Sequence, residues 1–154
     1  MQKIPTAYVD NNFCSAFFSE DPEQFAATRE LWSLREAGCV RFVASTVTAM
    51  EAFDGPLHVR DFFMANFPDT DAILKLTDEA RALGSEYIRA GILPKGSLDD
   101  AHHIAICTLA GIEALLSWNF HHVSRRETFN EINRLHGYGP VRILKPNEYL
   151  KEIC

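Results

Sequence analysis

Asp99-Asp100-Ala101-His102-His103-Ile104-Ala105 and, a little downstream, Leu115-Leu116-Ser117-Trp118-Asn119-Phe120-His121-His122 are the stretches whose reading decides the fold. From Ser97 to about residue 110, Ala101, Ile104, Ala105, Thr108 and Leu109 recur at helical spacing, and Gly111 ends the run. Residues 113–117 then form a short apolar segment that breaks off into polar residues, which predicts a buried strand. Asn119 follows Asp100 by 19 positions, the room needed for a helix, a tight turn and a strand.

The same alternation extends outward in both directions. Residues 4–9, 40–44, 72–76 and 141–144 read as further strands, short and rich in β-branched or aromatic residues. Helices are expected over 11–18, 22–37, 46–53, 58–67, 78–90 and 124–136, with a short helical tail after Pro146. Pro22 suits a first helical position, Ser45 or Thr46 and Thr77 suit N-caps, and Ser124 with Glu127 reads as a capping box. Gly38, Gly91, Gly111 and Gly137 stand where helices stop. Strands alternating with helices predict a parallel sheet covered on both faces. With no internal repeat, low-complexity tract or linker, residues 1–154 are expected to form one domain.

Composition narrows the class. The chain is 47% hydrophobic and 23% charged, ordinary for a globular protein and unlike a disordered one. No apolar run is long enough to span a bilayer, and the first nine residues are too short for a signal peptide, so a cytoplasmic location is expected. Cys14, Cys39, Cys107 and Cys154 lack zinc-site spacing and read as reduced thiols. A net charge of −6 argues against a passive nucleic-acid binder that relies on a basic face. It leaves room for an enzyme whose bound metal supplies the positive charge.

Chemistry is carried by four polar interruptions at the ends of apolar runs or the mouths of helices: Asp10, Glu51, the pair Asp99-Asp100, and Asn119. In an open α/β sheet such positions converge beyond the carboxyl ends of the strands, where ligands bind. Carboxylates gathered there repel one another unless a cation lies between them, and oxygen donors favour hard cations such as Mg²⁺ or Mn²⁺.

From Tyr8-Val9-Asp10 to Ile143-Leu144-Lys145-Pro146, and most specifically across the two quoted stretches, the sequence resembles the PIN domains, a family of metal-dependent ribonucleases. The resemblance implies a three-layer α/β/α sandwich around a mainly parallel sheet. It also implies catalytic roles for Asp10, Glu51, Asp100 and Asn119, the first three binding Mg²⁺ or Mn²⁺. An RNA substrate follows from it, and in many bacterial members an antitoxin partner that silences the enzyme. Asn119 departs from the acid usual at the fourth place and removes one negative charge. A PIN-like binding or regulatory module with little nuclease activity is therefore the alternative.

Several residues carry a second reading. Asp10 before Asn11-Asn12 is also a good turn former, and Glu51 one turn from Val47 is also an ordinary helix-surface residue. Ser97 with Asp100 matches a helix-capping pattern, which accounts for one carboxylate but not for two adjacent ones. Asp99 is assigned to orienting a metal-bound water or to the helix dipole. Histidines 102, 103, 121 and 122 are read as structural or surface residues, with His103 near enough to Asp100 to approach substrate. Ser117 joins this outer group. Arg125 and Arg126, expected in the first turn of a helix where cations oppose the dipole, either hold an RNA phosphate or face solvent. The phenylalanine-rich 53–67 stretch reads as core or as a subunit contact, and a homodimer is compatible with its apolar helices.

Overall fold

The computed structural model describes residues 3–93, 97–119 and 128–153. Among the described residues five parallel strands lie in the order β3-β2-β1-β4-β5: β1 Thr6–Val9, β2 Arg41–Ser45, β3 Ile73–Leu74, β4 Ala114–Leu116 and β5 Arg142–Leu144. All four pairings are parallel, so the expected mainly parallel sheet is parallel throughout. β1 occupies the centre, with Tyr8 opposite Val43 on one side and Leu115 on the other. Parallel pairing at the centre requires both faces to be covered, and they are.

The period-2 alternation of the strands builds two cores. Ala7, Val9, Phe42, Ala44, Ala114 and Leu116 point to one face. There they meet α1 (Asn11–Ser15), α2 (Pro22–Glu36), α3 (Thr46–Asp54), α4 (Leu57–Asn66) and α8 (Pro146–Ile153). Tyr8, Leu115 and Ile143 point to the other face, against α5 (Asp78–Arg89), α6 (Leu98–Leu109) and α7 (Thr128–Leu135). The molecule is a three-layer α/β/α sandwich.

Most predicted elements appear within a residue or two, and Gly38, Gly91, Gly111 and Gly137 all take positive φ after their helices. Three expectations need correction. β3 spans only two residues rather than 72–76, because a 3₁₀ turn over Thr70–Ala72 takes its start and only Ile73 and Leu74 pair, with Ala44 and Ser45. Residues 16–18 form a 3₁₀ turn rather than continuing α1. Helix α6 is not amphipathic: all of residues 101–108 are buried, since the sheet lies on one side and α5 on the other. His102 and His103 are therefore interior, not surface, residues. Close packing of α5 on α6 depends on Gly84, where an added Cβ would lie 3.0 Å from His102 Cδ2 and 3.5 Å from the Ala101 backbone.

On the same face a neutral polar cluster fastens α7. Tyr87 Oη donates to Asn133 Oδ1, and Asn133 Nδ2 donates to Thr108 Oγ1 at 3.1 Å and Asn130 Oδ1 at 3.3 Å. Asn130 in turn brackets Val141 through its backbone N–H and C=O, at 2.9 and 3.0 Å. Cys14, Cys39 and Cys107 are free thiols, as expected. Among the described residues no helix is long and apolar enough to cross a membrane. The Ser124–Glu127 capping box, His121, His122, Arg125 and Arg126 fall outside the described residues.

Candidate functional site

Three elements bring acids to the carboxyl edge of the sheet. Extended backbone continues from β1 through Asp10, so its side chain falls on the same face as Tyr8, two residues earlier. The carboxylate caps α1, accepting the Phe13 N–H at 2.9 Å, and the residue is 5% exposed. Burial pushes its pKa up to about 6, and the nearby charge of Glu51 pushes the same way. His103, the Ser117 hydroxyl and the Phe13 N–H pull it down without prevailing. Among the described residues no lysine or arginine pairs with Asp10.

Glu51 stands in the second turn of α3. That helix is started by Ser45, whose Oγ accepts from Val47 N and Thr48 N in a capping box with Thr48. Thr48 Oγ1 donates to the Val9 carbonyl at 3.0 Å, fixing the first turn of α3 against the end of β1. Asp100 lies in the first turn of α6, half-buried, beside exposed Asp99. Ser97 makes no side-chain capping bond, so the reciprocal box that would have explained Asp100 is not formed. Asp100 and His103, three residues apart, share one face of α6.

His103 joins these elements. Its Nδ1 is 2.5 Å from Tyr8 Oη and its Nε2 is 2.7 Å from Glu51 Oε1. Tyr8 Oη is in turn 2.6 Å from Ser45 Oγ. Burial disfavours the charged ring, but the hydrogen bond to Glu51 and the charges of Glu51, Asp10 and Asp100 outweigh it. The His103 pKa is held above the ordinary value. Three carboxylates thus lie within electrostatic reach of one buried imidazole.

The exit of β4 completes the edge. Trp118 N–H donates to Asn12 Oδ1 at 2.9 Å, stitching it to the start of α1 beside Asp10. Ser117 is buried, and its Oγ accepts the Asn119 N–H at 3.2 Å, while Asn119 is exposed at the rim.

No protein-family model matches the sequence, and no curated protein does. Solved structures do. With a TM-score of 0.54 and 11% identity, 91% of this chain superposes on 98% of a chain in the crystal structure of VapBC2 from Rickettsia felis bound to a DNA fragment from their promoter. The VapC component of such complexes is a PIN-domain toxin. The fold is PIN-like. A structure of VapBC-5 from Mycobacterium tuberculosis, of the VapBC family of toxin-antitoxin systems, matches over the same share of the chain at 12% identity with a TM-score of 0.46. At these identities the likeness is one of fold.

Within this PIN-like frame Asp10, Glu51 and Asp100 share one end of the sheet, with Ser117 behind Asp10 and Asn119 outside. Oxygen donors around a buried carboxylate with no lysine or arginine beside it fit a hard cation in kind. Among the described residues, however, no three Asp, Glu, His or Cys side chains stand close enough together to hold one. Closing on an ion therefore takes side-chain movement. Tyr8, Ser45 and Thr48 were absent from the sequence-based site. The period-2 alternation that puts Tyr8 and Asp10 on one face is the only signal that pointed to Tyr8.

Proposed function

We propose that this chain is a metal-dependent endoribonuclease that hydrolyses RNA phosphodiester bonds, and the toxin of a toxin–antitoxin pair. The observation that carries the reading is the buried Asp10 carboxylate, paired with no lysine or arginine among the described residues and sharing one imidazole, His103, with Glu51 and Asp100 at the same sheet end. Burying carboxylates that outnumber their counter-charges is costly, and a divalent cation is a partner that offsets it. The PIN-like fold adds support.

In this proposal Asp10, Glu51 and Asp100 hold Mg²⁺ or Mn²⁺. Such an ion, when bound, acidifies water and neutralises phosphate oxygens, so that no covalent enzyme intermediate is needed. Asp99 orients water, Ser117 steadies Asp10, and the Asn119 amide meets the substrate at the rim. Arg125 and Arg126 are assigned to the RNA phosphates. An antitoxin and a homodimer are the proposed protein partners, and exposed Met50, Phe53, Leu57 and Met64 on α3 and α4 are apolar surface for either to cover. An RNA substrate places the activity in the cytoplasm.

The test is RNA cleavage with Mg²⁺ or Mn²⁺, with EDTA, and with Asp100→Asn. Cleavage is expected with metal alone, and an Asp100→Asn enzyme that cuts as well as the unmodified one sinks the assignment. A second reading, a binding or regulatory module with little nuclease activity, is favoured by the uncharged, exposed Asn119. Calorimetric titration with Mn²⁺ separates the two: no heat at millimolar ion supports the module.

A further inference from the structure

We propose that His103, held by Tyr8, is the positioning residue that sets where the Glu51 carboxylate stands at the mouth of the site. The proposal rests on reading Glu51 as a metal-binding acid, and its test keeps the two apart.

Four hydrogen-bonding groups make a chain that runs from Ser45, the N-cap of α3, back to Glu51 on α3. Ser45 Oγ is pinned by the Val47 and Thr48 N–H groups at 3.1 and 3.3 Å. It meets Tyr8 Oη at 2.6 Å, Tyr8 Oη meets His103 Nδ1 at 2.5 Å, and His103 Nε2 returns to Glu51 Oε1 at 2.7 Å. An ionised carboxylate only accepts, so Nε2 carries the proton it donates to Glu51. Nδ1 then accepts the Tyr8 hydroxyl proton, or donates to that oxygen when the ring is protonated. In either state both ring nitrogens are engaged, and the ring cannot flip without breaking two short bonds. The Tyr8 ring packs edge-on against the imidazole, centroids 5.5 Å apart at 66°, and closes off lateral movement.

This hydrogen-bonded chain takes one member from each element that bears an acid. Tyr8 precedes Asp10 by two residues on β1, His103 follows Asp100 by three on α6, and Glu51 is itself the acid on α3. Its bonds therefore tie together the three parts of the polypeptide chain that carry the acids. A buried histidine with a purely structural role needs partners in the interior. Here the inner partner is buried Tyr8, while the outer one is a carboxylate whose side chain is 29% exposed. The imidazole, 1% exposed, is the inner support of a group that faces out. Groups behind metal-binding side chains act in this way, fixing orientation and raising basicity.

The experiment is Mn²⁺ titration by calorimetry on a double-mutant cycle of His103→Ala and Glu51→Ala, with His103→Gln and Tyr8→Phe alongside. His103→Ala is expected to weaken Mn²⁺ binding by about 10–100-fold when Glu51 is present. It should add less than about twofold when Glu51 is already alanine. His103→Gln, whose amide N–H can still donate to Glu51, should recover part of the loss. Equal weakening with and without the Glu51 carboxylate, or none in its presence, overturns the proposal.

Should His103→Ala fail to fold, Tyr8→Phe keeps the imidazole and the ring volume and carries the same cycle. Its expected loss is smaller, roughly 3–10-fold, and again confined to proteins that retain Glu51. If the unmodified protein takes up no Mn²⁺, the metal reading fails by itself, and the hydrogen-bonded chain is read in the metal-free protein by NMR. A downfield, slowly exchanging His103 Nε2–H proton is expected and should vanish in Glu51→Ala. A resonance unchanged by that substitution overturns the positioning role.

Discussion

Two buried polar clusters lie on the same face of the sheet and differ in kind. Around Asn133 every member is neutral: Tyr87, Thr108, Asn130 and the Val141 backbone exchange hydrogen bonds that close upon themselves. Around His103 the cluster contains Asp10 and Glu51, reaches solvent at one end, and sets more than one carboxylate against a single imidazole. A satisfied neutral network can serve as structure alone, whereas one carrying surplus charge stores a cost that a ligand can relieve.

That contrast breaks most sharply at Asp100. Asp100→Asn is expected to lower RNA cleavage on the order of a hundredfold to a thousandfold while hardly moving the unfolding midpoint, since a first-turn polar residue keeps the helix start intact. Steady-state cleavage together with urea melts tests both halves, and a large loss of stability would place Asp100 with the structural cluster instead.

Asp10 sharpens the contrast through pH. Its pKa rises on folding from 3.8 to about 6, so folded protein binds the extra proton between those values. The sign follows: the metal-free protein is most stable below the unfolded pKa and loses stability as pH climbs through the folded one. A shift of this size is worth roughly 3 kcal/mol above pH 6, which Asp10→Asn should recover in metal-free protein at the expense of cleavage. Thermal melts of both proteins from pH 4 to 8, with metal chelated, are expected to diverge as pH rises. Parallel curves would remove Asp10 from the charged cluster.

Asn133→Ala should show the opposite behaviour, costing about 2 kcal/mol by removing the acceptor of the Tyr87 hydroxyl and the amide that ties Thr108 to Asn130, while leaving the cleavage rate per folded molecule unchanged. Denaturant unfolding measures the first quantity, and activity normalised to folded fraction measures the second. The smallest effect belongs to Gly84→Ala. An exposed helical glycine gains about 1 kcal/mol on this change, and the contact with His102 should cancel most of it, leaving a melting shift near zero. A full gain would show that α5 and α6 yield freely beside His103.

The order of elements was legible in the sequence because strand alternation, caps and stop glycines act locally. That Asp10, Glu51 and Asp100 arrive at one end of the sheet was legible from their places at the ends of apolar runs and the mouths of helices and from the family resemblance. What escaped depended on three-dimensional enclosure. Periodicity gave α6 one apolar stripe, yet neighbours bury it all round. Ser97 had the capping pattern but not the bond, because its backbone takes φ −103° and ψ 36° rather than the extended cap conformation. The pairing of His103 with Tyr8 and Glu51 spans 95 and 52 positions in sequence and has no local signature.

The central place of β1 also governs how the chain assembles. β1 meets β2 as soon as residues 41–43 are available, but its other edge waits for 114–116. Pairings across such separations are slow to form, because a long loop must close before any contact rewards it. On a growing chain the apolar Ala7-Tyr8-Val9 backbone therefore stays half-paired until residues 114–116 emerge, an open edge of the sort that captures foreign strands. Of the described strands, the one that leads into Asp10 waits longest for its second partner.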